Sequence, residues 1–313
     1  MAPTADVPVI QVLEREHYFT QALVPLPSAV PYPPLAPSSL RLRSRLIALT
    51  TNNFTYAKLG FLFHWWDIHP LPPSTPEIYA DAAKYGRISA WGWAEVLEST
   101  HDSVPAGSFL WGYHSIGTLA QDVTVTDGEV PGQVLVTDEY RRHMPFYSRY
   151  FAATGTAADA VRRDIENRSD GLAYDALVRV MFETAYLMNR YALGSSATSP
   201  SAMPGPMPWT AEAADVRNAT LVVFAPGSKV GLSFAHELRH GREESDKVQQ
   251  VVAVASEHSK SFVQGTGLYD AVVSTAESPI DVLSKLGVGK EEKVVLVVKF
   301  TFFSHGNPRL YVM

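Results

Sequence analysis

The 313-residue sequence contains no cysteine. Disulfides, thiolate zinc sites, iron–sulfur clusters and cysteine nucleophiles are excluded with it. A chain without thiols suits a reducing cytosol. Long basic runs are missing too, and the net charge is −6, which argues against nucleic acid and anionic membranes as main partners. No stretch has the uninterrupted apolar length that crosses a bilayer. The opening residues, MAPTADVPVIQVLEREH, lack a basic stretch followed by an apolar core and do not read as a secretory signal. The expectation is a soluble, cytoplasmic protein with no membrane partner. Neither a GxSxG nucleophile elbow nor a Walker turn is present, so hydrolase and kinase readings lack support.

What the chain does contain is globular: 46% hydrophobic and 19% charged residues, with length enough for two domains. Three textures follow one another, with boundaries placed at 1–140, 141–215 and 216–313. The first is rich in short β-like runs separated by Pro and Gly. Residues 40–50 (LRLRSRLIALT) alternate apolar and charged side chains, the period-2 mark of a half-buried strand, and 88–99, 108–113 and 121–126 read likewise. Five of the six tryptophans (Trp65, Trp66, Trp91, Trp93, Trp111) lie here, as an aromatic-rich small β barrel would have them. The second texture, 137–209, is helical. Leu172, Ala176, Val180, Leu187 and Tyr191 recur at helical spacing, with Ser169 as N-cap and Gly194 as stop. A Ser/Pro/Gly tract follows as a linker.

The third texture alternates unbroken Val-rich strands with helices: strands at 220–224, 248–255, 269–274 and 293–298, helices at 230–240, 259–265 and 280–286. That pattern predicts a parallel, doubly wound sheet, which binds its ligand beyond the carboxyl ends of its strands. The first strand runs into Phe224-Ala225-Pro226-Gly227-Ser228-Lys229-Val230-Gly231. Ala225, Gly227 and Ser228 are small where a backbone would meet pyrophosphate. Gly231 stands where helix packs on strand, and Lys229 and Val230 open the helix. The turn is a degenerate GxGxxG; a tight turn without a ligand explains it as well. The second strand ends at Ala255-Ser256, with Lys260 four residues on. A hydroxyl and an ammonium suit a 2′-phosphate, so NADP(H) is expected, although Glu257 could serve as a displaced ribose acid.

Together these pieces resemble the medium-chain dehydrogenase/reductase superfamily, in its zinc-free quinone-oxidoreductase branch. The matching stretches are Ala48-Leu49-Thr50-Thr51-Asn52-Asn53-Phe54-Thr55-Tyr56, Trp91-Gly92-Trp93-Ala94-Glu95-Val96 and Thr184-Ala185-Tyr186. The Domain of Unknown Function 2855 family resembles the chain more closely, over 40–298, and shares Gly267-Leu268-Tyr269-Asp270. The resemblance implies an α/β plus β fold: an N-terminal GroES-like β barrel, then an incomplete Rossmann-type doubly wound parallel sheet. It also implies a nicotinamide-dependent redox fold without zinc; with Ser256 and Lys260 favouring NADP(H), the leading expectation is a reductase acting on a small carbonyl or enone substrate. Tyr56 is then the proton donor, Asn52 and Thr55 orient substrate or nicotinamide, and Thr184 contacts the nicotinamide ring edge. Otherwise Tyr56 packs in the barrel with its hydroxyl bonded locally, and Thr184 bonds a carbonyl one turn back. The superfamily continues beyond the point where KFTFFSHGNPRLYVM ends this chain. The expectation is a truncated cofactor domain, a homodimer in doubt, and a non-catalytic remnant as the alternative.

Two further constellations compete. His236-Glu237-Leu238-Arg239-His240 is literally HExxH, the zinc-peptidase signature. With Phe234 and Leu238 on the sheet, however, both histidines turn roughly 160–200° away from it, into solvent. No third ligand stands out; Glu257 and His258 follow a strand pattern. His64, Asp67 and His69 form another trio, in a loop whose aromatics and prolines suggest packing on the barrel instead. The mixed-charge run 159–170 reads as a solvated helical surface. No metal is expected.

Overall fold

The computed structural model describes residues 7–27, 31–137, 145–193, 211–288 and 292–297. The chain divides into two compact units, 1–177 and 178–313. In the first unit the elements are β1 (Val9–Glu14), β2 (Gln21–Pro25), β3 (Ser39–Ala48), α1 (Thr51–Lys58), α2 (Gly60–Phe63), β4 (Tyr85–Gly86), β5 (Ser89–Ser99), β6 (Phe109–Ser115), β7 (Gln121–Asp127), β8 (Gln133–Val136), β9 (Arg149–Ala153) and α3 (Thr156–Glu166). The division from the second unit falls within α4 (Asp170–Leu187).

Six strands close into a GroES-like barrel in the order β3-β5-β6-β9-β8-β7, which leaves no unpaired edge. The alternation of β3 puts Leu40 and Leu42 into the barrel core beside Val96, Leu110 and Val125. The intervening Arg41 is only 3% exposed, so the outer face of β3 is covered rather than solvated. Its guanidinium is forked on Asp122, with Nε to Oδ1 at 2.8 Å and Nη2 to Oδ2 at 2.9 Å. A separate three-stranded sheet, β2-β1-β4, belongs to the same unit. All five tryptophans are buried.

The sixth barrel strand is a correction. β9 pairs antiparallel with β6 and β8, so the barrel extends past residue 140 into the stretch read as helical. Its sequence, RYFAA, is short and ends in two helix-favouring alanines, and only pairing with strands distant in sequence makes it a strand. Beyond it the helices appear as read, and the mixed-charge run breaks at Arg168 (φ 53°) before Ser169 leads into α4.

Gly92 and Gly112 face each other across β5 and β6. A Cβ on Gly92 would lie 2.1 Å from the Leu46 carbonyl oxygen, a backbone atom that cannot yield without opening the barrel. Gly92→Ala is therefore expected to lower unfolding free energy by about 3 kcal/mol, the upper end of ordinary overpacking. Urea denaturation of the variant against the parent checks this. An unchanged midpoint would refute the packing argument.

The second unit holds α5 (Ala211–Ala214), β10 (Thr220–Phe224), α6 (Lys229–His240), β11 (Gln250–Ala255), α7 (Glu257–Gly265), β12 (Ala271–Ser274), α8 (Pro279–Lys285) and β13 (Val294–Val297). All sheet pairs are parallel, in the order β12-β11-β10-β13. Neighbouring residues of both parities are buried, Leu221 with Val222 and Val251 with Val252. Burial on both faces explains why these strands read as continuous apolar runs. The chain steps outward from β10 to β11 and β12, then returns to the other side of β10. This is the Rossmann-type arrangement, with its switch point between β10 and β13.

α4 ends in a π-helical turn, Met188–Ala192. Arg242 secures it, donating from Nε to Asn189 Oδ1 (2.7 Å) and from Nη2 to the Leu193 carbonyl (2.8 Å). Among the described residues no helix is long and apolar enough to cross a membrane. The Gly194 stop, the Ser/Pro/Gly tract and the sequence from Val298 onward lie outside the described residues.

Candidate functional site

The β10–α6 turn is built by two features of its sequence. Ser228 caps α6: its side chain accepts the Gly231 N–H at 3.1 Å, satisfying one of the donors a helix start leaves open. Gly231 permits close packing, since a Cβ there would lie 2.7 Å from the Ala225 carbonyl and 3.0 Å from that of Pro226. Ala225 itself holds φ 54°, left-handed backbone that glycine adopts without cost. The sequence showed only that this residue is small. Gly227 is exposed and Pro226 is buried, so the proline ring is turned away from solvent. Among the described residues the N–H groups of Gly227 and Val230 have no partner. With the positive end of a twelve-residue helix behind them, they suit an anion.

The Gly267-Leu268-Tyr269-Asp270 segment braces this turn, a role that sequence reasoning missed. Gly267 bends the chain at φ 67°. The Tyr269 hydroxyl lies 2.9 Å from the Pro226 carbonyl and 3.1 Å from that of Gly231, either of which can accept its proton. Burial holds that phenol well above its ordinary pKa, so it remains a donor. Arg239 donates to the Leu268 carbonyl at 2.7 Å and pairs with Asp270 at 2.8 Å. Asp270 also accepts the Val251 N–H at 2.7 Å. α6, the turn and the start of β11 are thereby tied to one loop.

At the end of β11, Ser256 caps α7 through the Ser259 N–H. Glu257 and His258 stand exposed in the first turn of that helix. Lys260 is half-buried and close enough to Glu277 for its charge to help hold that carboxylate below the usual range. The larger causes are the Ser274 N–H, donating to Glu277 at 2.8 Å, and then Lys285. Ser256, Lys260 and Glu277 thus gather beyond the carboxyl ends of β11 and β12. Lys229 is the first residue of α6 and Val230 the second. Thr184, on α4, donates its hydroxyl to the Val180 carbonyl one turn back, at 2.9 Å.

In the barrel unit, α1 begins with a reciprocal cap. The Thr50 side chain accepts the Asn52 N–H at 3.1 Å, and Asn53 Oδ1 accepts the Thr50 N–H at 2.7 Å. Asn53 Nδ2 donates to the Ser89 carbonyl at 3.0 Å. One residue of the Asn-Asn pair is therefore a capping device, and the other, Asn52, bonds Tyr56. Tyr56 is 5% exposed, and its hydroxyl accepts the Trp91 indole N–H at 3.0 Å. Its ring meets those of Trp65, Tyr113 and Tyr147 at 4.8, 5.3 and 6.0 Å. Burial raises its pKa, and the bonds from Trp91, Tyr147 and Asn52 offset part of that rise. Thr55 is half-buried on the same helix.

The HExxH residues divide between solvent and core. His236 and His240 are exposed, with ring centroids 4.7 Å apart. Glu237 is 7% exposed and lies beside Gly241, where a Cβ would come within 2.6 Å of its Oε2. Phe234 and Leu238 enter the core with Leu221 and Val223. In the other trio, His64 Nδ1 and Asp67 Oδ2 are 3.0 Å apart, whereas His69 is buried. Among the described residues no group of three or more His, Asp or Glu side chains is placed to hold a metal ion.

A family model described as "Protein of unknown function (DUF2855)" matches residues 47–297. No curated protein matches the chain. Many solved structures are similar to it, among them the following three. A proposed NADPH:quinone reductase of Bacillus thuringiensis is 12% identical, with a TM-score of 0.48 over 90% of this chain and 63% of that one. CurA of Vibrio vulnificus, in complex with NADPH, is 13% identical, with a TM-score of 0.47 over 96% and 76%. The CurF ER cyclopropanase of curacin A biosynthesis is 9% identical, with a TM-score of 0.49 over 96% and 77%. The chain thus spans less than two thirds of the Bacillus protein's length.

Proposed function

The chain belongs to the DUF2855 family, whose description carries no activity, and we propose one from its own geometry: an NADP(H)-dependent oxidoreductase acting on a carbonyl or enone. The observation that carries this reading is the β10–α6 turn at the centre of a parallel sheet. Its donors at Gly227 and Val230, its Ser228 cap and the close approach at Gly231 fit a pyrophosphate. Bound nicotinamide supplies the hydride. The chain's own share is to fix phosphates on the turn, to meet a 2′-phosphate with Ser256 and Lys260, and to hold a proton at Tyr56 Oη. Asn52 positions that hydroxyl from within α1. In this reading Thr55 borders the substrate and Thr184 the ring edge, and Lys229 adds positive charge to the turn.

NADPH is expected to raise the thermal midpoint of the purified chain in proportion to the logarithm of its concentration. No shift with either NADPH or NADH would overturn the reading and leave a scaffold without redox activity. Stoichiometric zinc that is lost on His236→Ala would instead favour peptidase chemistry.

Lys260→Ala tests the cofactor preference. A charge-assisted bond to a 2′-phosphate is worth about 1.5 kcal/mol, so NADPH should bind roughly tenfold more weakly. NADH, which lacks that phosphate, should change by less than about twofold. Equal losses for both nucleotides, measured by calorimetric titration, would remove Lys260 from the 2′-phosphate site.

A further inference from the structure

The Tyr56 hydroxyl is met from three sides, by Trp91 of β5, by Asn52 of α1 and by Tyr147. Tyr147 lies in the short helical turn Pro145–Ser148 that leads into β9, and the Ser148 hydroxyl closes that turn on the Pro145 carbonyl at 2.7 Å. Its ring meets Tyr113 edge-on at 4.7 Å and Tyr56 edge-on at 6.0 Å, and it lies tilted over Trp91 at 5.4 Å. Rings from β5, β6 and α1 thus fix where its hydroxyl points. Tyr147 is half-buried, whereas Tyr56 is buried.

Lone pairs and protons assign the partners their roles. A neutral phenol oxygen accepts two bonds and donates one, and the Trp91 indole can only donate. The Tyr147 phenol is held above its ordinary pKa, first by burial and then by the charge that Tyr56 takes on when it ionises. Tyr56 therefore ionises before Tyr147, and Tyr147 is the donor of the pair. With Trp91 and Tyr147 donating, both lone pairs of Tyr56 Oη are filled and its proton remains to be given. Two fixed donors in a buried site bind that oxygen more strongly after its proton has left than before. Donors aimed at a charge that develops during a reaction lower its barrier.

We infer that Tyr147 is a positioning residue of the proposed reaction, its hydroxyl donating to Tyr56 Oη and stabilising the phenolate left when Tyr56 gives its proton to substrate. The inference rests on the reductase reading, in which the hydride is the nicotinamide's share. As the Tyr56 Oη–H bond breaks, its proton passes to the carbonyl oxygen, or to the α-carbon of an enone, and the electron pair stays on Oη. The Tyr147 proton moves toward that pair. Water restores the lost proton once product has left. Every residue of this arrangement belongs to the first unit.

The test follows single turnovers of NADPH with the full chain by stopped flow, using cyclohexenone and benzaldehyde in mixtures of light and heavy water. In the unmodified protein the rate should bow downward against the deuterium fraction, since two hydroxyl protons move together. Tyr147→Phe keeps the ring and loses the donor. It is expected to slow the step roughly tenfold and to straighten that plot, with the Kd for NADPH and the urea midpoint close to parental. A residue that only packs would shift the midpoint and leave the shape of the plot unchanged. A straight plot in the unmodified protein would overturn the inference and leave the reductase reading standing. So would a parental rate in Tyr147→Phe while Tyr56→Phe is slow. A parental rate in Tyr56→Phe, or no oxidation of NADPH by either compound, would overturn both. The plot for the unmodified protein decides even if Tyr147→Phe folds poorly.

Discussion

Gly231→Ala is expected to raise the Kd for NADPH by roughly 100-fold while the protein remains folded. The added Cβ would sit 2.7 Å from the Ala225 carbonyl and 3.1 Å from the Pro226 Cα. Both are backbone atoms of the turn, so no side chain can rotate away to relieve the overlap. Relief comes instead by moving the turn off α6. That displacement carries the Gly227 and Val230 N–H groups out of register and strains the Tyr269 bond to the Pro226 and Gly231 carbonyls. Overpacking of this kind costs about 3 kcal/mol, which is about 100-fold when it falls on binding. Ala225→Gly is the matching control. It removes the left-handed strain at φ 54°, so it should stabilise the fold by about 1 kcal/mol and leave NADPH affinity intact. Calorimetric titration of both variants decides. Parental affinity in Gly231→Ala would mean that nucleotide, if bound, does not rest on this turn.

The elements legible in the sequence were those whose environment writes itself into consecutive residues. β10 and β11 are buried on both faces, so TLVVF and QVVAVA lack alternation and read directly as parallel strands. Gly231 was legible for a similar reason: the separation between strand end and packing glycine is set locally, by one turn of chain. β9 was not, because RYFAA becomes a strand only by pairing with β6 and β8. The Gly-Leu-Tyr-Asp segment stood out as a family feature, but its work joins Tyr269 to Pro226 across 43 positions and Arg239 to Leu268 across 29. No local pattern records such a partner. Asn52 and Asn53 show the limit most sharply. They are chemically identical neighbours, and one helical step sends the first to Tyr56 and the second to the cap of its own helix.

Tyr56→Phe is expected to lower kcat for the carbonyl or enone substrate by roughly 100-fold, the lower range for loss of a general acid. The hydroxyl accepts the Trp91 indole N–H at 3.0 Å and also bonds Tyr147 and Asn52, and in this reading its own proton is the one given to the substrate. Burial raises the pKa of that proton, so the group stays protonated through the neutral range. The rate should therefore show no fall attributable to Tyr56 between about pH 6 and 9. A tyrosine that only packs would behave otherwise. Its removal would leave the buried Trp91 N–H without an acceptor and lower stability by about 1–3 kcal/mol, with kcat unchanged. Trp91→Phe separates the two roles, because it removes the partner and keeps the proton. It should reduce stability by a similar amount while kcat falls much less than in Tyr56→Phe. Stopped-flow oxidation of NADPH alongside urea denaturation of both variants gives the two readouts. Equal, small changes in kcat would assign Tyr56 to the barrel's packing, and the proton would have to come from elsewhere, with ordered water the first group to consider.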